Sequence, residues 1–141
     1  MFSGCSYTKT VSFQNINFSN LISMEKLLGS SNPIENFYFI NISAPKLKAM
    51  ENLFYYIGNK IKFENVDISS VTTMKNMIRN INYNKVGEFY FKNINASNIL
   101  ELVGVSNYLT GFCNITFENI NFSKLTSMEN MFMEEIIGNV Y

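Results

Sequence analysis

Apolar and polar positions along this chain follow one recurring order, clearest in the stretch from Phe117 to Phe132, FENINFSKLTSMENMF. Placing Phe13, Phe39, Phe63, Phe91 and Phe117 in one column leaves spacings of 26, 24, 28 and 26 residues. Two positions before that Phe stand Val11, Phe37, Ile61, Phe89 and Ile115, and three after it stand Ile16, Ile42, Val66, Ile94 and Ile120. Phe18, Ala44, Ile68, Ala96 and Phe122 come next, followed by Leu21, Leu47, Val71, Ile99 and Leu125. Then come Met24, Met50, Met74, Leu102 and Met128, and finally Leu27, Leu53, Met77, Val105 and Met131. Seven apolar columns in five copies define an internal repeat of 24 to 28 residues, the signature of a stacked-repeat architecture.

The first two columns are separated by one residue, the period of a strand, as in FYF at 37–39, IKF at 61–63 and FYF at 89–91. Later columns are three apart, which predicts a short helix or 3₁₀ turn with Ser23, Thr73 or Ser127 as N-cap. Each unit reads as a strand, a turn and a helical return, and only stacked copies bury its apolar residues. The predicted fold is an α/β solenoid with a parallel β-sheet on one face and short helical or 3₁₀ returns on the other. A parallel β-helix-like solenoid is the alternative. Residues 29–36, 55–60, 80–88 and 104–111 read as loops of variable length on one face of the stack. Residues 1–141 form a single array of about five units. Met1 and Phe2 align with Met131 and Phe132, and Val140 and Tyr141 align with Ile115 and Thr116. Neither end has a polar cap, so the chain is expected to be a segment of a longer array, in end-to-end contact with flanking repeats.

Composition narrows the chemistry. Hydrophobic residues make up 47% of the chain, enough for a continuous core. Lys+Arg and Asp+Glu balance at 11 each, so no net field draws the chain to nucleic acid or an anionic membrane. The chain has no His, which removes the usual general base and the Ser-His and Cys-His nucleophile pairs, so no catalytic residue is assigned and an enzyme is not expected. No window approaches the roughly 20 apolar residues of a membrane span, so this segment is not expected to insert into a bilayer. Cys5 and Cys113 occupy different places in the repeat, about four repeats apart, and read as small buried or half-buried residues rather than a bridge.

Three polar columns accompany the apolar ones. Asn15, Asn41, Asn65, Asn93 and Asn119 are invariant among the copies and predict a structural ladder bonding neighbouring backbone with both ends of the amide. Asn17, Ser43, Asp67, Asn95 and Asn121, with Ser19, Pro45, Ser69, Ser97 and Ser123, predict Asx- or Ser-type turns. Asn17, Asn41, Asn95, Asn114 and Asn121 match the Asn-x-Ser/Thr acceptor motif, which the repeat itself generates. The methionine column accepts Leu102 and has no second ligand type at matching spacing, so it reads as core, with no metal and no cofactor implied.

Positions flanking the inward Phe columns point out of the sheet in ladders about 4.8 Å apart. One ladder is Ser12, Tyr38, Lys62, Tyr90 and Thr116, the next Gln14, Ile40, Glu64, Lys92 and Glu118, and a third Thr10, Asn36, Lys60, Glu88 and Asn114. Tyr38, Ile40, Lys62, Glu64, Tyr90, Lys92 and Glu118 form the candidate partner-binding patch, combining aromatic area with polar tips. The plainer reading of Glu64, Lys92 and Glu118 is cross-strand charge pairing on a solvated sheet.

The segments INFSNLISMEKLL at 16–28, VDISSVTTMKNMI at 66–78 and NFSKLTSMENMF at 121–132 resemble the BspA-like leucine-rich repeats of bacterial surface proteins, in the variety found in mycoplasma surface lipoproteins. MFSGC at 1–5 resembles that family's unit ending. The repeat length also lies within the roughly 20 to 29 residues of leucine-rich repeats. The resemblance implies a leucine-rich-repeat solenoid exposed on a cell surface or extracellularly, used for adhesion to a protein or glycan on host or neighbouring cells or in the extracellular matrix. The fourth unit departs in losing its Met pair. Two other functions stand beside adhesion: a structural spacer in a surface protein, and a polysaccharide-active parallel β-helix enzyme. The last needs clustered carboxylates, whereas Glu64, Glu88 and Glu118 are scattered among lysines.

Overall fold

The structure, a computed structural model, describes residues 9–28, 34–54, 57–78, 87–102, 104, 106–107, 112–133 and 137–141. Eight strands lie among them: β1 Thr10–Asn17, β2 Ile34–Ser43, β3 Ile57–Asp67, β4 Gly87–Asn95, β5 Ser106–Asn107, β6 Phe112–Asn121, β7 Phe132–Met133 and β8 Ile137–Val140. Six of them form one sheet in the order β1-β2-β3-β4-β6-β8, every neighbouring pair parallel. Parallel neighbours reached by a full turn of chain, copy after copy, make the molecule a repeat solenoid.

The register is that of the Phe column. Phe13, Phe39, Phe63, Phe91 and Phe117 are opposite one another on successive strands. Their rings follow one another through the interior at centroid separations of 6.0, 5.3, 5.4 and 5.3 Å, edge-to-face between Phe13 and Phe39, tilted between Phe39 and Phe63, and stacked in the last two pairs. Such aromatic pairs contribute about 0.5–1.5 kcal/mol each beyond the area they bury. Residues of the middle units, including Phe37, Phe39, Phe54 and Phe63, are fully buried, while Phe13, Phe18, Phe117 and Phe122 at the two ends are half-buried.

The predicted helical returns are not present: no described residue is helical. Spacing by three arises here from corners in an extended chain. The first corner is the Asn column itself, where Asn15, Asn41, Asn65, Asn93 and Asn119 take φ of 55, 53, 54, 52 and 55°. That left-handed residue interrupts the alternation, so the side chain three after Phe points inward again. The second corner is a β-turn closed by N–H···O bonds from Leu21 to Phe18, Leu47 to Ala44, Val71 to Ile68, Ile99 to Ala96 and Leu125 to Phe122. Pro45 and the serines of its column hold the second turn position, where Pro's fixed φ is favourable. The third corner is a turn closed from Leu27 to Met24, Met77 to Met74 and Met131 to Met128, with positive φ at Lys26, Asn52, Asn76, Gly104 and Asn130.

Ser23, Thr73 and Ser127 are therefore not helix N-caps. Their hydroxyls accept the N–H two residues on, from Glu25, Lys75 and Glu129 at 3.1, 3.3 and 3.2 Å, as in a Ser/Thr turn. Each also takes part in a parallel bridge between coils, in the line Ser23, Ala49, Thr73, Glu101, Ser127. A second line joins Leu28, Phe54 and Ile78, and β5 pairs with β7 through Ser106 and Phe132 at the equivalent positions. The return face is thus stitched by backbone hydrogen bonds. The expected loops are shorter than predicted: Ile34–Asn36 belong to β2, Ile57–Lys60 to β3, Gly87 and Glu88 to β4 and Ser106–Asn107 to β5. Cys5, Val105 and the side chain of Cys113 lie outside the described residues.

Candidate functional site

The outward ladders form the broad face of the six-stranded sheet. Thr10, Asn36, Lys60, Glu88 and Asn114 are aligned, as are Ser12, Tyr38, Lys62, Tyr90 and Thr116, and Gln14, Ile40, Glu64, Lys92 and Glu118. Tyr38, Ile40, Lys62, Glu64, Tyr90, Lys92 and Glu118 all lie on this face and are half-buried. It divides into two parts. The outward residues of β1 and β2, Thr10, Ser12, Gln14, Asn36, Tyr38 and Ile40, carry no charge. Those of β3, β4 and β6 carry most of the charge of the face, and it is internally paired.

Lys92 Nζ lies 2.7 Å from Glu118 across the strands, but Glu64 pairs at 2.6 Å with Lys62 on its own strand rather than with Lys92. Lys60 joins Glu88 at 2.7 Å. Tyr90 donates its hydroxyl to Glu118 at 3.1 Å, and Lys62 Nζ stands 5.7 Å from the centre of the Tyr90 ring. Tyr90 is thus held at both tip and ring. The hydrogen bond from Lys92, and then that from Tyr90, hold the Glu118 carboxyl below its usual value, and the same pairing raises Lys92. Lys60 is raised by its bond to Glu88.

Beside the Tyr90 side chain lies an open trough of about 470 Å³. Short residues Asn114 and Thr116 of β6 line it, with Tyr90, Lys60, Lys62 and Glu88 on one side and Tyr141 on the other. The shape follows from side-chain length, since two small polar residues stand between taller neighbours. Tyr141 aligns in sequence with Thr116, which marks it as an outward position, but nothing in the repeat predicts that a concavity forms there.

The Asn column borders the face as a ladder. Asn41, Asn65, Asn93 and Asn119 each donate Nδ2 to Oδ1 of the Asn one coil earlier, at 2.8, 2.8, 2.8 and 3.2 Å. These bonds run from side chain to side chain, not to backbone as the sequence suggested. The next polar column gives Asx turns at Asp67 and Asn121, whose Oδ1 atoms accept the N–H of Ser69 and Ser123. Of the Asn-x-Ser/Thr positions, Asn41, Asn95 and Asn121 are engaged in these ladders, and Asn17 and Asn114 are exposed. Among the described residues no group of three or more His, Cys, Asp and Glu side chains could hold a metal ion, and no helix is long and apolar enough to cross a membrane. The chain matches no protein-family model, no curated protein and no solved structure.

Proposed function

We propose that this chain is a non-catalytic, surface-exposed repeat module whose sheet face binds a protein or glycan, serving adhesion to host or neighbouring cells. The observation that carries the reading is the broad outward face, on which parallel register fixes Tyr38, Lys62 and Tyr90 side by side on a rigid scaffold. Recognition surfaces favour this combination of aromatic area and polar tips, with little side-chain entropy left to lose on binding. Glu64, Glu88 and Glu118 are each paired with a lysine, which suits a recognition face better than carboxylates poised for hydrolysis. The BspA-like leucine-rich-repeat assignment belongs to the same proposal and rests on the motif of the repeats. The extended returns favour its parallel β-helix-like form.

A specific observation favours a second reading, that of a structural spacer: the charges on β3, β4 and β6 satisfy one another and ask nothing of a partner. One experiment separates the two. Beads carrying the chain, or a variant with Tyr38→Ala, Lys62→Ala and Tyr90→Ala together, are applied to epithelial monolayers and to matrix-coated glass, and retention under flow is counted. Adhesion predicts retention that falls to the level of bare beads in the triple variant, whereas a spacer gives bare-bead retention for both.

A further inference from the structure

We infer that the trough over β6 is a saccharide subsite, taking a neutral, hydroxyl-rich sugar unit against the ring of Tyr90. This rests on the reading of the sheet face as a binding surface and names the ligand class for one part of it. Sugar recognition needs an aromatic plane for the C–H face of the ring, and short amide or hydroxyl groups for its hydroxyls. The trough supplies both. Tyr90 is fixed before any ligand arrives, its hydroxyl on Glu118 at 3.1 Å and Lys62 5.7 Å from its ring centre. Lys62 approaches from β3, the strand on the opposite side of Tyr90 from Thr116, so the ring has a face available to the trough. A ring already immobilised loses little entropy on stacking, which is where a preorganised site gains affinity.

The floor carries the second requirement. Asn114 is exposed on β6 with Thr116 beside it, and no side-chain hydrogen bond to the described residues engages either one. One amide and one hydroxyl thus face a concavity of about 470 Å³. That volume falls within the roughly 300–1,000 Å³ of small-molecule sites.

Charge decides which sugars. The lysines at the trough, Lys60 and Lys62, are each within 2.7 Å of a carboxylate, Glu88 and Glu64. With its cations matched by anions, the site offers no net attraction to a sulfated or uronate chain, nor to a nucleic-acid backbone. A peptide adding itself as a strand would need a sheet edge. Here β6 is paired on both sides, with β4 and with β8, over the residues that floor the trough.

The test is a ¹H–¹⁵N NMR titration of the chain with neutral hexasaccharides (cellohexaose, maltohexaose, mannohexaose and chitohexaose) and with an anionic heparin hexasaccharide. At least one neutral probe is expected to shift the amides of Tyr90, Asn114 and Thr116 saturably, and the heparin fragment to bind more weakly. Tyr90→Ala weakens that binding by at least about tenfold. Asn114→Asp, an exposed change that leaves the core untouched, weakens it as well by removing the amide donor. Urea unfolding of each variant establishes that it is folded before its affinity is read. Absence of shifts with every neutral probe, stronger binding of heparin, or unchanged binding in both variants overturns the inference. If the sugars fail while bead retention still depends on Tyr38, Lys62 and Tyr90, the face binds a protein and only the saccharide assignment falls. If both fail, the binding reading falls with it.

Discussion

At the scale of single residues, the left-handed positions explain more of this sequence than the charges do. An L-residue with a Cβ pays about 1–2 kcal/mol to adopt this conformation, while Asn and Gly tolerate it. Among the described residues, nine of the ten positive-φ positions are Asn or Gly, and the tenth is Lys26 at 51°. Lys26→Asn is therefore expected to raise stability by about 0.5–1 kcal/mol in urea unfolding. Asn65→Ala should cost about 2–4 kcal/mol, since it loses both the backbone preference and its bonds to Asn41 and Asn93. Asn65→Gly should recover the conformational part, and an equal loss for Ala and Gly would show that only the side-chain bonds count. Glu118 gives a pH signature. Its folded-state value is lowered by Lys92 and Tyr90, so its stabilising contribution is present above the ordinary carboxyl value of 4.5 and disappears as pH falls through the lowered one. Lys92, raised above its ordinary 10.5, contributes below that value and loses its contribution only as pH rises through the raised one. The melting-temperature gap between the parent chain and Glu118→Gln should thus be constant near neutrality and close as pH falls below the ordinary carboxyl value. It should also narrow in high salt, because the pair is only half-buried and open to solvent.

At the scale of elements, the strands can be read from the chain and the returns cannot. The Phe column fixes the register because a one-residue slip would turn every Phe to solvent. An apolar spacing of three, by contrast, fits both a helix and an extended chain broken by left-handed residues and tight turns. The signal that separates them is the polar residue at each corner: the Lys26, Asn52, Asn76, Gly104, Asn130 column lies eleven residues beyond the first Asn column. The line Leu28, Phe54, Ile78, Ser106, Phe132 is also regular, but Ser106 disguises it as a loop. The candidate face was readable as ladders, because alternation alone places those residues outward. The trough was not, since it depends on the relative heights of side chains on three strands. Packing within the units varies in the same way. In the column Phe18, Ala44, Ile68, Ala96, Phe122, small residues alternate with large ones, and the interior keeps an apolar cavity of about 30 Å³ lined by Ala96, Phe91, Leu102 and Phe117 but not by Ala44. Ala96→Val has room and should gain about 1 kcal/mol. Ala44→Val, at a fully buried position outside that cavity, should lose about 1–3 kcal/mol by overpacking. Equal responses in paired chemical-denaturation curves would mean that the fourth unit is packed no more loosely than the second.

At the scale of the whole molecule, stability belongs to the interfaces between coils. A solenoid's units contact only their neighbours, so its stability approximates a sum of unit and nearest-neighbour terms. The distribution of burial makes the middle interfaces the strongest: Phe39 and Phe63 are 0% and 1% exposed, whereas Phe13 and Phe117 are only partly buried. Opening free energies measured by amide hydrogen exchange should therefore be highest for the backbone-bonded amides of β2, β3 and β4. They should fall toward β1 on one side and toward residues 117–131 on the other. A substitution then has an effect that depends on its place in the stack. Phe63→Ala removes a ring that touches Phe39 and Phe91 and should cost about 3–5 kcal/mol, lowering protection on β2, β3 and β4 together. Phe117→Ala touches one neighbouring ring of its column, Phe91, and should lower protection on β6 first, leaving β2 near its original value. Uniform loss across all strands in both variants would mean that the array unfolds as one cooperative block, with coupling between coils stronger than any unit's own instability.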